Sequence, residues 1–260
     1  KKSMDRYTFK LVEDKLGKKL CYDFVKTHHY TGMVGAGSKY CFGLYEGETL
    51  IGVGLWRTPN GRLTYRLFDK LGVSDNSPIL DLTRLCLIDE TRKNTESYFL
   101  SLMIKHIQQN NKSIRFLITY ADFNQGHNGT IYRASNWMEF GVGGDTKKSY
   151  NVLEGGRLEL TSSRWLKTRK CKTISIPINK KFRYFYPLNV KRNKILKLLK
   201  DDVILFKKQH KDLEEKYRNT QEFNLKDGSV KYWCETCKCI YTEYCNHDVN
   251  VNTPHYRTCV

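Results

Sequence analysis

The sequence predicts a mixed α/β fold, in which helices pack against a sheet. Two strand-like runs, Tyr40–Tyr45 and Leu50–Trp56, flank the turn Glu46–Glu48, and this pattern is typical of a β-hairpin. Further along the chain, the apolar runs Leu80–Ile88 and Ile114–Tyr120 enclose a segment with helical spacing. Because strands and helices alternate in this way, we expect a mixed sheet with helices against it.

Hydrophobic spacing predicts the other elements of the first 160 residues. They are strands at Tyr7–Val12 and Trp137–Val142 and helices at Lys15–His28, Thr95–Gln108 and Gly129–Asn136. In the first helix we expect one side to carry Leu16, Leu20, Phe24 and Val25. In the second, the spacing predicts one buried face with Phe99, Leu102, Met103 and Ile107.

The charge of the chain indicates a polyanionic partner. The 260 residues include 45 Lys and Arg against 27 Asp and Glu, a net charge of +18. This excess favours binding to nucleic acid or to an anionic membrane, and an ordinary basic protein is the alternative. No apolar run is long enough for a transmembrane helix, and the first residues lack a secretion signal. We therefore expect a cytoplasmic protein with no membrane partner.

The charge is unevenly distributed and predicts three parts. Residues 1–160 carry 23 basic and 17 acidic residues, whereas residues 161–260 carry 22 and 10. Residues 161–200 contain 13 basic residues and no acidic one. We expect an α/β domain at 1–160, a basic aromatic extension at 161–200, and at 201–260 a helical linker with a Cys/His-rich module.

Residues 161–200 combine basic with aromatic side chains, a pattern that favours DNA binding. Basic residues neutralise phosphates, and aromatic rings such as Trp165 and those of Tyr184–Tyr186 can stack on exposed bases. The alternative is a solvated surface run with core aromatics, and a membrane surface is less favoured because no amphipathic apolar face accompanies the charge. A helix is predicted at Val190–Phe206. The predicted DNA-binding residues are Arg164, Lys167, Arg169, Lys170, Lys172, Lys180, Lys181 and Arg183.

The nine cysteines fall into two groups. Four are scattered, as is usual in a reducing cytoplasm, and the other five lie in the last 27 residues. There, Cys234-x2-Cys237 and His255-x3-Cys259 supply four ligands for a tetrahedral zinc ion. The alternative is a thiol-rich tail without metal. Competing ligands are Cys239, Cys245 and His247.

The junction between the predicted strand Leu80–Ile88 and the following helix is a candidate anion site. Free backbone N–H groups at a helix start bind anions, and Asn94 is the expected N-cap. In acetyl-CoA-dependent acyltransferases this junction holds the cofactor pyrophosphate, usually with glycines, and this sequence has none there. A plain turn is the alternative. The candidate cofactor residues are Leu87, Lys93, Asn94 and Thr95.

A second site follows the predicted strand Ile114–Tyr120. Asp122 ends this strand, a polar glycine-containing loop follows, and a short helix then presents Tyr132. Ligands bind at strand ends in open α/β sheets. A carboxylate there can act as a general base and the tyrosine as a general acid. The alternative is a loop cap and a packing residue.

This segment resembles a signature of the phage Mom family. The matching residues are Ala121-Asp122, Gly126-His127, Gly129-Thr130-Ile131-Tyr132 and Ala134-Ser135-Asn136-Trp137. Further resemblances are His28-His29-Tyr30, Leu82-Thr83-Arg84-Leu85 with Thr in place of Ser, Lys93-Asn94-Thr95-Glu96-Ser97, and the stretch from Phe182 to Lys200. Together they cover roughly residues 7–200, and the resemblance does not include residues 201–260.

The resemblance implies an enzyme with a GNAT-like acyltransferase fold. Mom proteins add a carbamoylmethyl-type group to the N6 amine of adenine in DNA, are iron-dependent, and shield phage DNA from host restriction enzymes. The expected partner is then double-stranded DNA in the cytoplasm of a bacterial host, with acetyl-CoA or a related molecule as donor. The alternatives are an N-acyltransferase acting on a protein or small amine, and a non-catalytic DNA-binding protein.

The chemistry of adenine modification suggests roles for the matching residues. The exocyclic amine is a poor nucleophile and needs a proton acceptor, for which Asp122 is the candidate. Tyr132 would protonate a leaving group or polarise the donor, His29 and Tyr30 would close the pocket, and Thr83 would hydrogen-bond the base. Because N6 lies inside the duplex, the base must be extruded. Candidate iron ligands are His29, Asp122 and His127. Candidate stacking surfaces are Trp56, Trp137 and Tyr132, although for Trp137 a core position is favoured.

Overall fold

The computed structural model describes most of the first 218 residues and two short segments of the tail. The described residues are 6–35, 37–122, 127–144, 147–161, 172–177, 180–218, 232–233 and 240–241. No helix in these ranges is long and apolar enough to cross a membrane. By its contacts the chain divides into two compact units, the first formed by residues 1–121, 128–142 and 182–210 and the second by the remainder.

The first unit is built on a seven-stranded sheet. All the neighbouring strands whose pairing is resolved run antiparallel except β4 and β5, which are parallel. In spatial order the strands are β1 (Tyr7–Leu11), β2 (Tyr40–Glu46), β3 (Thr49–Arg57), β4 (Ile79–Leu87), β5 (Phe116–Ala121), β10 (Lys181–Pro187) and β6 (Met138–Gly143). The predicted mixed α/β fold is therefore confirmed.

Six helices accompany the strands in the described part of the chain. They are α1 (Lys15–His28), α2 (Arg62–Arg66), α3 (Thr95–Asn110), α4 (Thr130–Ala134), α5 (Arg192–Leu198) and α6 (Lys200–Arg218). The sequence predicts α1 with the same bounds and α3 within two residues of its observed end. The predicted helix Val190–Phe206 is instead two helices, because the chain leaves helical geometry at Leu199.

The second unit contains a three-stranded antiparallel sheet that the sequence did not reveal. Its central strand is β7 (Lys147–Val152), flanked by β8 (Leu158–Thr161) and β9 (Thr173–Pro177). Two further short strands, β11 (Tyr232–Trp233) and β12 (Ile240–Tyr241), pair with each other.

Helix α1 buries only part of the predicted side, since Val25 is buried and Phe24 packs against the core, whereas Leu16 and Leu20 are exposed. Its buried residues are Cys21 and Val25, whereas the side chains of Leu16 and Leu20 are 70% and 58% exposed. The spacing of Leu16, Leu20 and Phe24 is helical, but so is the overlapping stripe that contains Cys21 and Val25. The helix packs with this second stripe on a cluster made of Val12, Cys41, Val53, Leu55 and Cys86.

Strand β10 shows why part of the predicted basic extension is structural. It lies between β5 and β6 in the sheet, and its Phe182, Tyr184 and Phe185 side chains are buried. Phe182 and Tyr184 lie on one face of the strand and Phe185 on the other, and all three are buried, so this strand is covered on both faces. In this strand the aromatics are therefore core residues, which was the alternative to base stacking.

The rings expected to stack on an extruded base are also buried. Trp56 is fully buried, Trp137 is 4% exposed and Tyr132 is 7% exposed. The indole of Trp56 donates to Met103 Sδ at 3.3 Å, and the ring of Trp137 stacks 6.5 Å from that of Trp56. As base-stacking surfaces these residues are therefore wrong predictions, because their faces are occupied by the core.

Candidate active site

The parallel strands β4 and β5 separate part-way along their length. Their pairing runs from Ile79–Phe116 to Leu82–Thr119, yet β4 continues to Leu87. On its other side β4 stays paired with β3 as far as Gly52–Leu87. The pairing of β4 with β5 therefore ends at Leu82, near the carboxyl ends of both strands, the position at which α/β sheets bind ligands.

Asp122 follows β5 directly and is 4% exposed. Its Oδ2 lies 2.8 Å from Nζ of Lys181, the first residue of β10. The register explains this contact, since Ala121 pairs with Phe182 and the next residues of the two strands are brought side by side. A short ion pair of this kind stabilises the ionised carboxylate.

Tyr132 is held on α4 by packing and one hydrogen bond. The Thr119 hydroxyl on β5 donates to the Leu82 carbonyl at 3.3 Å and lies 3.2 Å from the Tyr132 hydroxyl. The ring packs against Trp137 and Tyr184, at centroid distances of 5.5 and 5.3 Å. Burial raises the pKa of Tyr132 to about 12. The phenol therefore keeps its proton near neutral pH and cannot act as a general base.

Gly129 allows α4 to begin where it does. Its φ of 75° is in the left-handed region, and a Cβ there would overlap the ring of Tyr184. The Tyr184 hydroxyl donates to the carbonyl oxygen of Asn128 at 3.0 Å. The glycine of the matching motif is thus required by backbone geometry and by the close approach of Tyr184.

His29 and Tyr30 stack on each other at a centroid distance of 4.2 Å, just after α1. The backbone N–H of Thr31 donates to Nδ1 of His29 at 3.1 Å. In a neutral imidazole the proton then resides on Nε2. Metal binding through Nε2 would require loss of that proton, so this tautomer opposes the predicted ligand role of His29.

Thr83 lies at an irregularity of β4. Leu55 pairs with Arg84 and Trp56 with Leu82, so Thr83 has no partner on β3 and forms a bulge. Its hydroxyl donates to the Leu55 carbonyl at 3.1 Å. Its only proton is thereby used within the protein, and contact with a base would have to come from its acceptor lone pairs.

Sequence reasoning missed a polar cluster beside this bulge. Asp81 on β4 is 8% exposed and lies opposite Arg57 on β3. Its Oδ2 is 3.9 Å from Arg57 Nε, while Oδ1 and that Nε are both buried without a hydrogen-bond partner in the described structure. Burial raises the pKa of Asp81 to about 6, against the opposing charges of Arg57 and Arg84.

The predicted cofactor residues surround the start of α3. Asn94 is the N-cap, as predicted, but its backbone is left-handed and its side chain makes no capping hydrogen bond. Thr95 is 1% exposed, and its hydroxyl is buried without a partner in the described part. Lys93 is exposed, and Leu87 ends β4. An orphaned hydroxyl beside a helix N-terminus fits a phosphate-bearing donor.

The predicted DNA-binding residues have different surroundings. Lys172 and Lys180 are exposed, whereas Lys181 pairs with Asp122. Arg183 donates from Nε to the Phe140 carbonyl at 3.0 Å and from Nη2 to that of Val142 at 2.7 Å, so it ties β10 to β6. The other four residues, Arg164, Lys167, Arg169 and Lys170, lie outside the described residues.

No metal centre is formed by the side chains that the structure describes. No three His, Cys, Asp or Glu residues among them come together in a group that could hold an ion, and the suggested iron ligands His29, Asp122 and His127 are all in this part. His29, Asp122 and His127 therefore do not form the iron site that the family resemblance implies. The predicted zinc ligands Cys234, Cys237, His255 and Cys259 lie outside the described residues.

Comparisons with solved structures find acyltransferases at low similarity. FeeM, an N-acyl amino acid synthase from uncultured soil microbes, shares 9% identity at a TM-score of 0.43, over 74% of this chain and 97% of that one. The ribosomal-protein-S18-alanine N-acetyltransferase from Escherichia coli shares 10% at a TM-score of 0.40, over 71% and 96%. A Bacillus subtilis acetyltransferase in complex with CoA shares 11% at a TM-score of 0.41, over 70% and 99%.

Sequence comparison is more specific. The chain is 28% identical to "Methylcarbamoylase mom" of Escherichia phage Mu over 139 residues, which are 52% of this chain and 54% of that protein. The match thus spans about half the length of this curated relative. The model of the Mom protein family matches residues 10–203, which include six strands of the main sheet in full and the end of β1. Since this match covers well over half of the sequence, the chain belongs to the Mom protein family.

Proposed function

We propose that this chain is a transferase that modifies phage DNA. It adds a small acyl or carbamoylmethyl-type group to a base, with the N6 amine of adenine as acceptor, in the cytoplasm of the infected bacterium. The modification would shield the DNA from host restriction. The observation that carries the proposal is the family match over residues 10–203, and the name of the phage Mu relative, a methylcarbamoylase, supports transfer of a small amide-containing group.

A GNAT-like fold and a thioester donor are part of this proposal. The separation of β4 from β5 after Leu82 supports a donor site between them, and the α3 N-terminus supports binding of the donor's phosphates. Acetyl-CoA or a related thioester would supply an activated acyl carbon. The Thr95 hydroxyl, which has no hydrogen-bond partner in the described structure, would then hydrogen-bond to the donor, and the exposed Lys93 would add positive charge.

Asp122 is the proposed proton acceptor. The lone pair of the adenine amine is delocalised into the ring, so attack on the acyl carbon requires removal of an N–H proton. For an acyl group, the N–C bond forms as the C–S bond of the thioester breaks, and the proton passes to the Asp122 carboxylate and then to the departing thiolate, which leaves an N6-acyl adenine and a free thiol. A carbamoylmethyl group would instead require a donor that already carries the amide and has its leaving group on the methylene carbon. The ion pair with Lys181 keeps Asp122 in the ionised form that accepts a proton.

The remaining motif residues have supporting roles in this proposal. Tyr132 holds its proton and would polarise the donor through a hydrogen bond, since burial raises the pKa of its phenol to about 12. The stacked rings of His29 and Tyr30 would close the base pocket. Thr83 would accept a hydrogen bond from the base, because its own proton goes to Leu55.

Double-stranded DNA is the proposed partner. The net charge of +18 supports it, and Lys172 and Lys180 are exposed at the surface, where lysines contact phosphates. The target amine lies within the duplex, so the base must be extruded to reach a buried carboxylate.

Mass spectrometry of nucleosides tests the function directly. Plasmid DNA from bacteria that express the chain should contain a new adenosine derivative, whose mass identifies the added group. Asp122→Asn should abolish this product, whereas Asp212→Asn, at an exposed acid on α6, should leave it unchanged. A modified base other than adenine would correct the acceptor. Unmodified DNA from cells with soluble, folded protein would contradict the proposal and favour a protein or small-amine acceptor.

A further inference from the structure

Arg57 is an arginine whose hydrogen-bonding capacity is unused. A guanidinium carries five N–H donors. In the described structure Arg57 makes no hydrogen bond, and its one ion pair, from Nε to Asp81 Oδ2, has a length of 3.9 Å. That distance is too long for a hydrogen bond. The side chain is nevertheless 30% exposed, so part of it can be reached from solvent.

Asp81, which lies opposite Arg57 in the sheet, also has an unsatisfied hydrogen-bonding atom. The two residues are register partners on β3 and β4, and Oδ1 of Asp81 is buried without a hydrogen-bond partner among the described residues. Orphaned buried polar atoms cost about 1–3 kcal/mol each. An oxyanion cannot satisfy Oδ1, which is itself an acceptor, so what this contact leaves for a ligand is the donor capacity of the Arg57 guanidinium.

A second arginine is brought beside this pair by the bulge at Thr83. The extra residue places Asp81 and Arg84 on the same face of β4, although they are three positions apart. Arg84 donates from Nε to the Met33 carbonyl at 2.8 Å and from Nη1 to that of Thr83 at 2.5 Å. Burial lowers the pKa of Arg84, and the charge of Arg57 contributes to this shift. The two cations therefore repel each other with a single carboxylate between them.

We propose that Arg57 binds an oxyanion of the substrate, a phosphate or a carboxylate, while Asp81 positions its guanidinium from behind. Two guanidiniums and one carboxylate leave an excess positive charge that an anion would neutralise. The planar fork of an arginine also matches the paired oxygens of phosphate and carboxylate groups. Arg84 donates hydrogen bonds to backbone carbonyls and contributes only its charge. Arg57 is therefore the arginine whose N–H groups can bind the oxyanion.

The oxyanion has two sources, DNA and the donor. A phosphodiester next to an extruded base would place the target nucleotide against β3 and β4, and this choice rests on the proposed function. A donor with phosphate or carboxylate groups would present the same chemistry to Arg57. The oxyanion site is inferred only from the contacts of Arg57, Asp81 and Arg84. It therefore does not depend on which reaction the chain catalyses.

Binding measurements on the full chain test this site. Fluorescence anisotropy with a labelled single-stranded oligonucleotide over a series of salt concentrations gives the slope of log K against log salt. Arg57→Gln should weaken binding about tenfold and reduce the slope by about one phosphate contact. Arg57→Lys keeps the charge without the fork, so it should retain the slope but bind more weakly. The matched control is Arg66→Gln, at an exposed arginine on α2, and it should change neither quantity.

A second titration, of acetyl-CoA by calorimetry, separates the two sources. If Arg57→Gln spares the DNA slope but weakens acetyl-CoA binding about tenfold, the oxyanion belongs to the donor. If Arg57→Gln and Arg57→Lys, both folded by circular dichroism, bind DNA and acetyl-CoA like the Arg66→Gln control, the proposal is wrong. Loss of DNA binding in Arg57→Gln without any modified nucleoside from the wild type would refute the proposed function and leave the site intact.

Discussion

The two buried carboxylates at the sheet, Asp122 and Asp81, differ in how their charge is satisfied. Asp122 meets Lys181 at 2.8 Å, so its ion pair is complete within the protein. Asp81 meets Arg57 only at 3.9 Å and keeps one oxygen without a hydrogen bond in the described structure. Burial alone therefore does not show how a carboxylate is used. Asp122, beside Lys181, is the proposed proton acceptor, whereas the Arg57 guanidinium beside Asp81 keeps hydrogen-bond donors for a ligand.

The largest expected effect is the contribution of Asp81 to the pH dependence of the free energy of unfolding. The pKa of Asp81 is raised from 3.8 to about 6 in the folded chain, so the native state binds the proton more tightly than the unfolded state. Its cost to stability is absent below pH 3.8, grows as the pH rises to 6, and is fully present above 6. At 1.36 kcal/mol per pKa unit, this cost is roughly 3 kcal/mol.

Urea unfolding of wild type and Asp81→Asn across this range measures the effect. From acid to neutral pH, the free energy of unfolding of the variant should gain roughly 3 kcal/mol relative to wild type. The exposed control Asp212→Asn should follow the wild type at every pH. A constant difference between Asp81→Asn and wild type would mean that Asp81 is ordinarily solvated, and the contrast with Asp122 would fail.

A double-mutant cycle on Asp122 and Lys181 gives the next largest effect. Asp122→Asn leaves the Lys181 ammonium, 28% exposed, without its charged partner, and should destabilise the chain by about 2 kcal/mol. Lys181→Met should act similarly, and most of the loss should appear as coupling between the two residues. The exposed pair Lys211–Glu215 on α6 is the control, with an expected coupling of about 0.3 kcal/mol. Equal coupling in both pairs would show that the Asp122 pair is not strengthened by burial.

The fold was more predictable than the surroundings of these acids. Helix α1 has its predicted bounds, Lys15–His28, because a charged and apolar pattern of that length has no competing interpretation. The predicted side of α1 was right for Phe24 and Val25 and wrong for Leu16 and Leu20, because two stripes with helical spacing overlap and only packing chooses between them. Strand β10 was not predicted because its Lys181 and Arg183 belong to a long run of basic residues. In the structure Lys181 pairs with Asp122, and Arg183 donates to backbone carbonyls.

The candidate site was predictable where a local motif marks it. Asp122 could be identified because it ends a strand and begins a glycine-containing loop that resembles the family signature. Asp81 and Arg57 lie inside strands, where a single polar residue has no local signal. Their relation depends on the register of β3 and β4 and on the bulge at Thr83, and register is a property of the paired strands rather than of either sequence segment.

The smallest expected effect concerns Tyr132, a buried polar group without charge. Its hydroxyl lies 3.2 Å from that of Thr119, so Tyr132→Phe should cost about 1 kcal/mol, the usual value of one neutral hydrogen bond. The pKa of Tyr132 is about 12 in the folded chain and thus rises above its ordinary value of 10. Between pH 6 and 8 the phenol is protonated in both folded and unfolded chains, so this loss should not vary with pH. Urea unfolding of Tyr132→Phe at both limits checks this, and Thr119→Val should give a similar, non-additive loss. A loss that changed with pH would mean that the phenol shares a proton with an acid, and Tyr132 would then belong with the carboxylates as an ionisable part of the site.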